Sequence, residues 1–350
     1  MNALIISLKF HPGHVSHLVA SYKQCEEIGL KPFYFISEKF IPFLPKGSNY
    51  LVNGKDDITS LDVQAAFFHF PNVGNISLIR ILLKKNTKIF YFYHEPMEAL
   101  SIYWKAGFRL AKLAKLVIGD YFNRWIVKHS SWIILPSKKA YTLYTQNNNY
   151  KNKNILQIPL IYDDESIGMK NVERSCFSYI GTIAADHSFD EYLNFIYQAI
   201  QKDDLNHLNF LIATKSDLPQ NEKVDYLRSS RRLRIIEGHP LTDAEINECY
   251  AQSICIWNAY ARTTQSGVLA KSFMFGTPAI VLRANMSELN QDGKDIVAID
   301  DNGNYEEIRA AVNNITDNII SYSQNCRERF LSTYYYRKYN QIIKNCINER

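Results

Sequence analysis

ICIWNAYARTTQSGVLAKSFMFGTPAIVLR, residues 254–283, contains a complete strand–helix–strand unit. The run ICIWNAY (254–260) is almost wholly apolar, and PAIVLR (278–283) repeats that character. Such short apolar runs read as buried strands. Between them RTTQSGVLAKSFMFGTP (262–278) starts polar, turns through Gly267, and runs for about two helical turns. It stops at Gly276-Thr277-Pro278. Two buried strands joined by a helix form a parallel pair with a crossover, the building unit of an open α/β sheet.

The same rhythm extends in both directions. Candidate strands are 3–10, 32–37, 63–70, 88–95 and 132–137, then 176–183, 209–215, 233–239, 254–260, 278–283 and 295–300. Helical patterns separate them. The two sets meet at IYDDESIGMKNVERS (161–175), which is polar and irregular and reads as a linker. The predicted fold is therefore α/β, with two doubly wound Rossmann-like domains, 1–165 and 166–325, and a C-terminal helix, 326–350, packing back on the first. Ligands of such sheets bind at the carboxyl ends of the strands, and paired domains are expected to face a central cleft there.

Composition agrees with a soluble globular protein. The chain has 350 residues, 46% hydrophobic and 21% charged, enough for two ordinary domains. A net charge of +5 is too mild to indicate nucleic acid. The six cysteines, at 25, 176, 249, 255, 326 and 346, form no C-x-x-C pair and read as reduced thiols. The N-terminal MNALIISLKF reads as a strand rather than a signal peptide. No apolar run approaches the ~20 residues that span a bilayer. A cytoplasmic protein is expected, one that rests on the inner face of the membrane if at all. Neither a metal nor another cofactor is expected.

Four local patterns carry chemistry. The first turn of the 262–278 helix begins near Gln265, Ser266 and Gly267, with Thr263 and Thr264 just before it. Free N–H groups and the helix dipole there favour an anion such as a phosphate. The same hydroxyls also suit an ordinary helix cap. FSYIGTIAADHSFDEYLNFIYQAI (177–200) is a strand, a turn at Gly181, and an amphipathic helix. LRIIEGHPLTDAEINECYAQS (233–253) repeats that order around Gly238. KIFYFYHEPMEAL (88–100) ends a strand on His94-Glu95-Pro96. There His94 is placed to form a hydrogen bond and Glu95 to orient it or take a proton, or His94 is simply satisfied by the core.

The series "strand–G–T–I", "I-I-E-G-H-P-L-T", "S-G-V-L-A-K-S-F-M-F-G-T-P-A-I-V" and "M-S-E-L" resembles the donor domain of retaining GT-B glycosyltransferases. These belong to the large group, family 4-like, that builds bacterial polysaccharides. The likeness covers residues 175–300 and extends to the first domain through P-G-H-V-S-H and H-E-P. It implies a nucleotide-sugar donor held by Gly181, Thr182, His187, Lys215, Gly238, His239, Leu241, Arg262, Thr263, Thr264, Gln265, Ser266, Gly267 and Lys271, with His239 and Leu241 at the base. It implies an acceptor, a saccharide or polyprenyl-linked sugar, held by Gly13, His14, Ser16 and His17, with His94 and Glu95 in catalysis. Transfer would be metal-independent and retaining, in the making of capsule, O-antigen or exopolysaccharide. The family's two glutamates, eight positions apart, are replaced here by Thr263 and Lys271. Its arginine and lysine after the first glycine are replaced by Thr182 and, approximately, His187. A nucleotide-sugar epimerase on the same fold and a non-catalytic GT-B-like partner subunit remain open beside the transferase.

One segment points elsewhere. YWKAGFRLAKLAKLVIGDYFNRWIVKHS (103–130) is basic and aromatic, and on a continuous helix Lys105, Arg109 and Lys112 share one face. Such a face rests on anionic lipid or is simply solvated.

Overall fold

The computed structural model describes residues 1–51, 54–105, 108–169, 172–262 and 267–349. The chain forms two compact units. One comprises residues 1–163 with 335–350, the other 164–334. Residues 326–334, grouped by sequence with the C-terminal helix, fall in the second unit. They continue the helix Ile319–Arg329, whose Tyr322 joins that unit's core.

The first unit holds β1 (Asn2–Ser7), β2 (Lys31–Ile36), β3 (Val63–Phe68), β4 (Lys88–Phe92), β5 (Trp132–Leu135) and β6 (Ile155–Gln157). They form one parallel sheet in the order β2-β1-β3-β4-β5-β6. Alternate residues of each strand serve opposite faces. Leu4, Ala66, Phe68, Ile89 and Tyr91 pack with Leu78, Ile79 and Leu82 of the helix Asn75–Leu83. Ala3, Ala65, Phe67 and Phe90 pack with Ala20 and Cys25 of the helix Val15–Glu27, and with Tyr336, Tyr339, Ile343 and Cys346 of the returning C-terminus. Covered on both sides, β1, β3 and β4 need near-continuous apolar sequence, which is why they were legible. Strand β6 was not. It is three residues long, carries no fully buried side chain, and follows the polar run 146–154.

The second unit holds β7 (Cys176–Ile180), β8 (Asn209–Ala213), β9 (Leu233–Ile236), β10 (Ser253–Asn258), β11 (Ala279–Leu282) and β12 (Ile296–Ile299). Its parallel order is β12-β11-β10-β7-β8-β9. Trp257 on β10 is fully buried against Phe177 and Tyr192 and donates its indole N–H to the Ser188 carbonyl (3.1 Å).

Chain order reverses at one place in each sheet. In the first unit the chain goes from β1 outward to β2, then returns to place β3 on the other side of β1. In the second it runs β7, β8, β9, then returns to set β10 beside β7. Connecting loops diverge at such a point and leave a crevice at the carboxyl ends of the two strands. The crevices lie beyond β1 and β3, and beyond β7 and β10.

Gly276-Thr277-Pro278 closes the Gly267–Met274 helix and starts β11. Gly276 is left-handed (φ +65°), and a Cβ on it would lie 2.5 Å from Ser323 Oγ. Thr277 is fully buried, donates its hydroxyl to the Tyr250 carbonyl (2.8 Å) and accepts from Arg174 (2.7 Å). The Pro278 carbonyl accepts from Ile256 in β10 (3.0 Å). These three residues serve the architecture.

The basic segment 103–130 is two helices, Leu100–Lys105 and Leu110–His129. The Phe108 N–H bonds the Tyr103 carbonyl (3.1 Å) and its ring packs on Tyr103, a six-residue closure of the kind that ends helices. Arg109 then takes extended backbone as the cap of the second helix. Lys105, Arg109 and Lys112 therefore do not share one helical face.

Candidate functional site

In the second unit the loops after β7 and β10 are tied together. The Ala261 N–H bonds the Asp186 carbonyl (2.9 Å). Asn285 Nδ2 donates to the carbonyls of Tyr260 (2.8 Å) and Ala261 (2.9 Å), and Asn302 Nδ2 donates to Ser188 Oγ (2.9 Å) and the Ala259 carbonyl (3.1 Å). Ser188 is held left-handed (φ 52°) at the start of the helix Phe189–Gln201. A non-glycine residue stays there only when its surroundings over-determine it, and here Trp257, Asn302 and the helix do so.

This frame sets a platform. The His187 ring stacks on Tyr260 with centroids 4.3 Å apart and planes 6° from parallel. His187 Nδ1 bonds the Thr182 carbonyl (2.7 Å), which also accepts from the Tyr179 hydroxyl (2.9 Å). With its proton on Nδ1, the imidazole keeps Nε2 as an acceptor. Burial pushes the Tyr260 hydroxyl far above the ordinary tyrosine range, so it stays neutral. Gly181 has φ +144°, and a Cβ on it would meet Val268 in the first turn of the Gly267–Met274 helix (3.7 Å). Gly181, Thr182, His187, Tyr260 and the start of that helix thus come together at the crevice. Arg262 is half-buried just beyond Ala261. Thr263, Thr264, Gln265 and Ser266 lie outside the described residues.

A second group gathers at the ends of β8 and β9. Gly238 is left-handed (φ +77°), and its Cβ would fall 3.1 Å from Asp217 Oδ1. The Glu237 carboxylate accepts from the Leu218 N–H (2.7 Å). Lys215 is exposed at the end of β8. His239 is exposed, with Nδ1 on the Glu237 carbonyl (3.1 Å) and Nε2 3.5 Å from Glu245 Oε1. Glu245 belongs to the capping box that Thr242 makes at the helix Asp243–Gln252. Bonds from Thr242 hold the Glu245 carboxyl below the usual range. Leu241 is buried.

Lys271 stands apart from the phosphate role expected of it. It is 7% exposed, and its ammonium lies 3.1 Å from Glu165 Oε2 and 3.2 Å from Asp243 Oδ1. Asn247 also donates to Glu165 (2.9 Å). The cation is already matched by two carboxylates, so a diphosphate would have to compete with them.

In the first unit, rings from three loops stack at the β1–β3 crevice. His11 stacks on His14 (4.4 Å), His14 on Phe70 (3.4 Å), Phe70 on His94 (5.0 Å) and His69 on Phe92 (4.3 Å). His94 Nε2 bonds the His69 carbonyl (2.9 Å). A carbonyl only accepts, so the proton is on Nε2 and Nδ1 is left as an acceptor. Burial lowers the His94 pKa to about 4, against the smaller opposing effect of that bond. Burial, and after it the neighbouring histidines, also hold His14 and His69 well below the ordinary imidazole range. All three imidazoles are neutral at neutral pH. His14 Nδ1 and His69 Nε2 are buried with no hydrogen-bond partner among the described residues. Gly13 is exposed, and a Cβ on it would crowd the His11 ring (3.3 Å). Glu95 is exposed beside His94. Ser16 and His17, expected to face an acceptor, are buried in the helix Val15–Glu27, where His17 Nδ1 bonds the Ile161 carbonyl (3.0 Å). Helix periodicity turns them toward the core.

Sequence reading missed Tyr260, Ser188, His69 and Phe70. Each directly follows a strand or opens a helix at a crevice. Tyr260, His69 and Phe70 were read as strand residues, because the two predicted strands ran two residues too long. No group of histidine, cysteine and carboxylate side chains among the described residues is arranged to hold a metal ion.

No family model and no curated protein matches the sequence. Solved structures do match the fold over the whole length. HepE of Anabaena, solved with UDP and glucose, is 12% identical, with a TM-score of 0.70 and 100% of both chains covered. A glycosyltransferase of Rickettsia africae is 11% identical, with a TM-score of 0.71 over 99% of this chain and 98% of that one. Sucrose-phosphate synthase of Thermosynechococcus elongatus is 10% identical, with a TM-score of 0.67 over 98% and 97%. The fold is GT-B, two six-stranded parallel α/β units.

Proposed function

We propose that this GT-B chain is a glycosyltransferase that binds a nucleotide-activated sugar in its second unit and passes the sugar to an acceptor bound by its first. The observation that carries the reading is the braced crevice at β7 and β10, where Gly181, at φ +144°, turns the chain beside the start of the Gly267–Met274 helix. HepE was crystallised with UDP and glucose and with UDP-glucose, which supports the same class of donor here.

The chemistry follows from charge. As the sugar leaves, positive charge develops on its ring and negative charge on the diphosphate. N–H groups at the start of the Gly267–Met274 helix, with Arg262 and Lys215, would oppose the second charge without a metal. The hydroxyls of Thr263, Thr264 and Ser266 would add donors. The acceptor nitrogen Nδ1 of His94, held in one tautomer by the His69 carbonyl, suits a sugar hydroxyl, and Glu95 would orient that hydroxyl or take its proton. Retention of configuration, a hexosyl donor, a lipid-linked acceptor and a place in bacterial surface polysaccharide synthesis complete the proposal.

A melting-temperature series with UDP, GDP, dTDP, CMP and ADP tests it. One nucleotide should give a saturable rise, because a ligand that binds only the folded chain stabilises it by mass action. Bulky replacement of Ser266 or Gly267 should weaken that rise and leave the ligand-free Tm unchanged. No shift from any of the five would overturn the donor site. A second reading, a GT-B-like partner without catalysis, draws on Lys271, which replaces a family glutamate and is neutralised by Glu165 and Asp243. It predicts nucleotide binding without release of sugar from the matching donor.

A further inference from the structure

The helices Phe189–Gln201, Glu222–Ser229 and Tyr305–Asp317 lie side by side in the second unit and share its core. Where the middle of the first meets the starts of the other two, they leave a cavity of about 210 Å³. Glu191, Asn194, Phe195 and Gln198 line it from the first helix. Their spacing puts all four on one helical face. Lys223 lines it from the second helix, and Tyr305 and Ile308 from the third. The floor is apolar, because Phe195 and Ile308 are buried in the core. The Tyr305 ring is fixed in place. Its hydroxyl donates to Asp204 Oδ2 (2.8 Å), and the Lys202 ammonium sits over its face (3.8 Å). The rim is polar and incompletely bonded. Among the described residues, the Glu191 carboxylate and the amide nitrogens of Asn194 and Gln198 take no hydrogen-bond partner.

This lining selects a class of ligand. An anion would seek the free N–H groups that open the Tyr305–Asp317 helix. Asn304 Oδ1 already accepts from two of them, Glu306 (3.1 Å) and Glu307 (3.2 Å). Lys223 is engaged by Asn194 Oδ1 and shares the cavity with Glu191. One charge of each sign favours neither an anion nor a cation. The volume falls below the ~300–1,000 Å³ of sites for drug-sized ligands and cofactors, so a whole nucleotide does not fit. A purely apolar guest would cover three polar side chains without bonding them, which is costly. A single pyranose ring meets every condition. Its C–H faces lie against apolar and aromatic walls. Its hydroxyls, each both donor and acceptor, reach one carboxylate and two amide nitrogens.

We propose that this cavity binds one residue of a neutral saccharide, with Glu191 accepting hydrogen bonds from its hydroxyls and Asn194 and Gln198 donating to them. The site shares no side chain with the β7–β10 crevice and does not depend on the sugar-transfer reading. In a chain that also transfers sugars, it gives a glycan a second point of attachment and so raises its local concentration.

Saturation-transfer NMR on the full chain, without nucleotide, tests it. The probes are glucose, galactose, mannose and N-acetylglucosamine, with glucose 1-phosphate as the charged control. At least one neutral sugar should bind, with a Kd on the order of 1–10 mM, as a ligand of this size allows. The pair Asn194→Ala and Gln198→Ala should weaken that binding about tenfold, the loss of two hydrogen bonds. Tm should not fall, because neither side chain is buried. Gly267→Phe, which fills the start of the helix at the β7–β10 crevice, should leave the signal in place. No signal from any of the four sugars overturns the proposal. So does binding that survives loss of both amides, or binding that Gly267→Phe removes, since the sugar would then sit elsewhere. Tighter binding of glucose 1-phosphate than of glucose, lost in the amide pair, would mark an anion site and overturn it too. A nucleotide-induced Tm shift with no sugar bound at these amides would leave the donor site standing and remove this site alone.

Discussion

Three histidines in the first unit, His14, His69 and His94, titrate below the ordinary imidazole value near 6.5. Burial is the main cause for each. The sign of the linkage follows. An unfolded chain takes up these protons near pH 6.5, whereas folded His94 does so only near pH 4. Between those values the unfolded state binds more protons, so stability rises with pH across the window. The contribution is fully present above about 6.5 and is lost as pH falls toward about 4. Tm should therefore drop by several degrees between about pH 7 and about pH 5. His14→Phe keeps the ring on Phe70 and removes one titration, so its drop should be smaller. An unchanged pH slope in that variant would mean that His14 does not carry this linkage. The ring cluster at the β1–β3 crevice was partly legible for a physical reason. His94 was found because the expected strand 88–95 closes on His94-Glu95-Pro96. His69 directly follows β3, yet the aromatic run FFHF around it reads like a continuing buried strand and the histidine passed as part of it. Stacking across three loops has no signature in a linear pattern.

Elements were recovered where the apolar run is long enough to stand out from its neighbours. All eleven expected strands exist, and the missing β6 is a short edge. The expected C-terminal ends were overrun because apolar and aromatic residues such as Tyr260 continue past the last ladder bond to build the crevices. The 103–130 segment failed differently. Periodicity of its basic residues suggested one continuous helix, and a local closure at Tyr103 and Phe108 split it. The Gly276-Thr277-Pro278 stop was read correctly as an element boundary, and the structure supplies the reason. Gly276→Ala would put a methyl group into a left-handed site 2.5 Å from Ser323 Oγ and 3.1 Å from the Ser323 carbonyl. The side chain can rotate away and the backbone cannot. Left-handed strain of about 1 kcal/mol adds to the clash, so a loss of about 2–4 kcal/mol is expected in urea unfolding. A loss under about 0.5 kcal/mol, the level of an ordinary surface change, would show that the chain between the Gly267–Met274 and Ile319–Arg329 helices yields freely.

The first unit draws part of one core from the last sixteen residues of the chain. After the second unit is complete, residues 335–350 return to the first. Tyr336, Tyr339, Ile343 and Cys346 cover the face made by Ala3, Ala65, Phe67 and Phe90. Glu27 fixes the return. Its carboxylate accepts from the Tyr336 hydroxyl (2.6 Å), Arg337 (2.7 Å) and Asn340 (2.9 Å). Burial alone would raise its pKa, and those bonds hold it below the usual range. Gln24 adds a bond to the Tyr336 carbonyl (3.1 Å). The sequence pattern suggested a terminal helix but could not supply these contacts, since their partners lie about 310 positions away. Burying a large apolar side chain is worth about 1.5–3 kcal/mol. The two tyrosines and Ile343 together therefore contribute roughly 5–9 kcal/mol before entropy is charged, against a typical domain stability of about 5–15 kcal/mol. A chain ending at Tyr334 should consequently keep a folded second unit and lose the first. Limited proteolysis should then leave a fragment spanning about residues 164–334, and any nucleotide-induced Tm shift should persist in that fragment. The second unit holds the complete β7–β10 crevice, so survival of the shift would locate donor binding within it. If the truncated chain keeps both units resistant to protease, the face of Phe67 and Phe90 does not require its C-terminal cover.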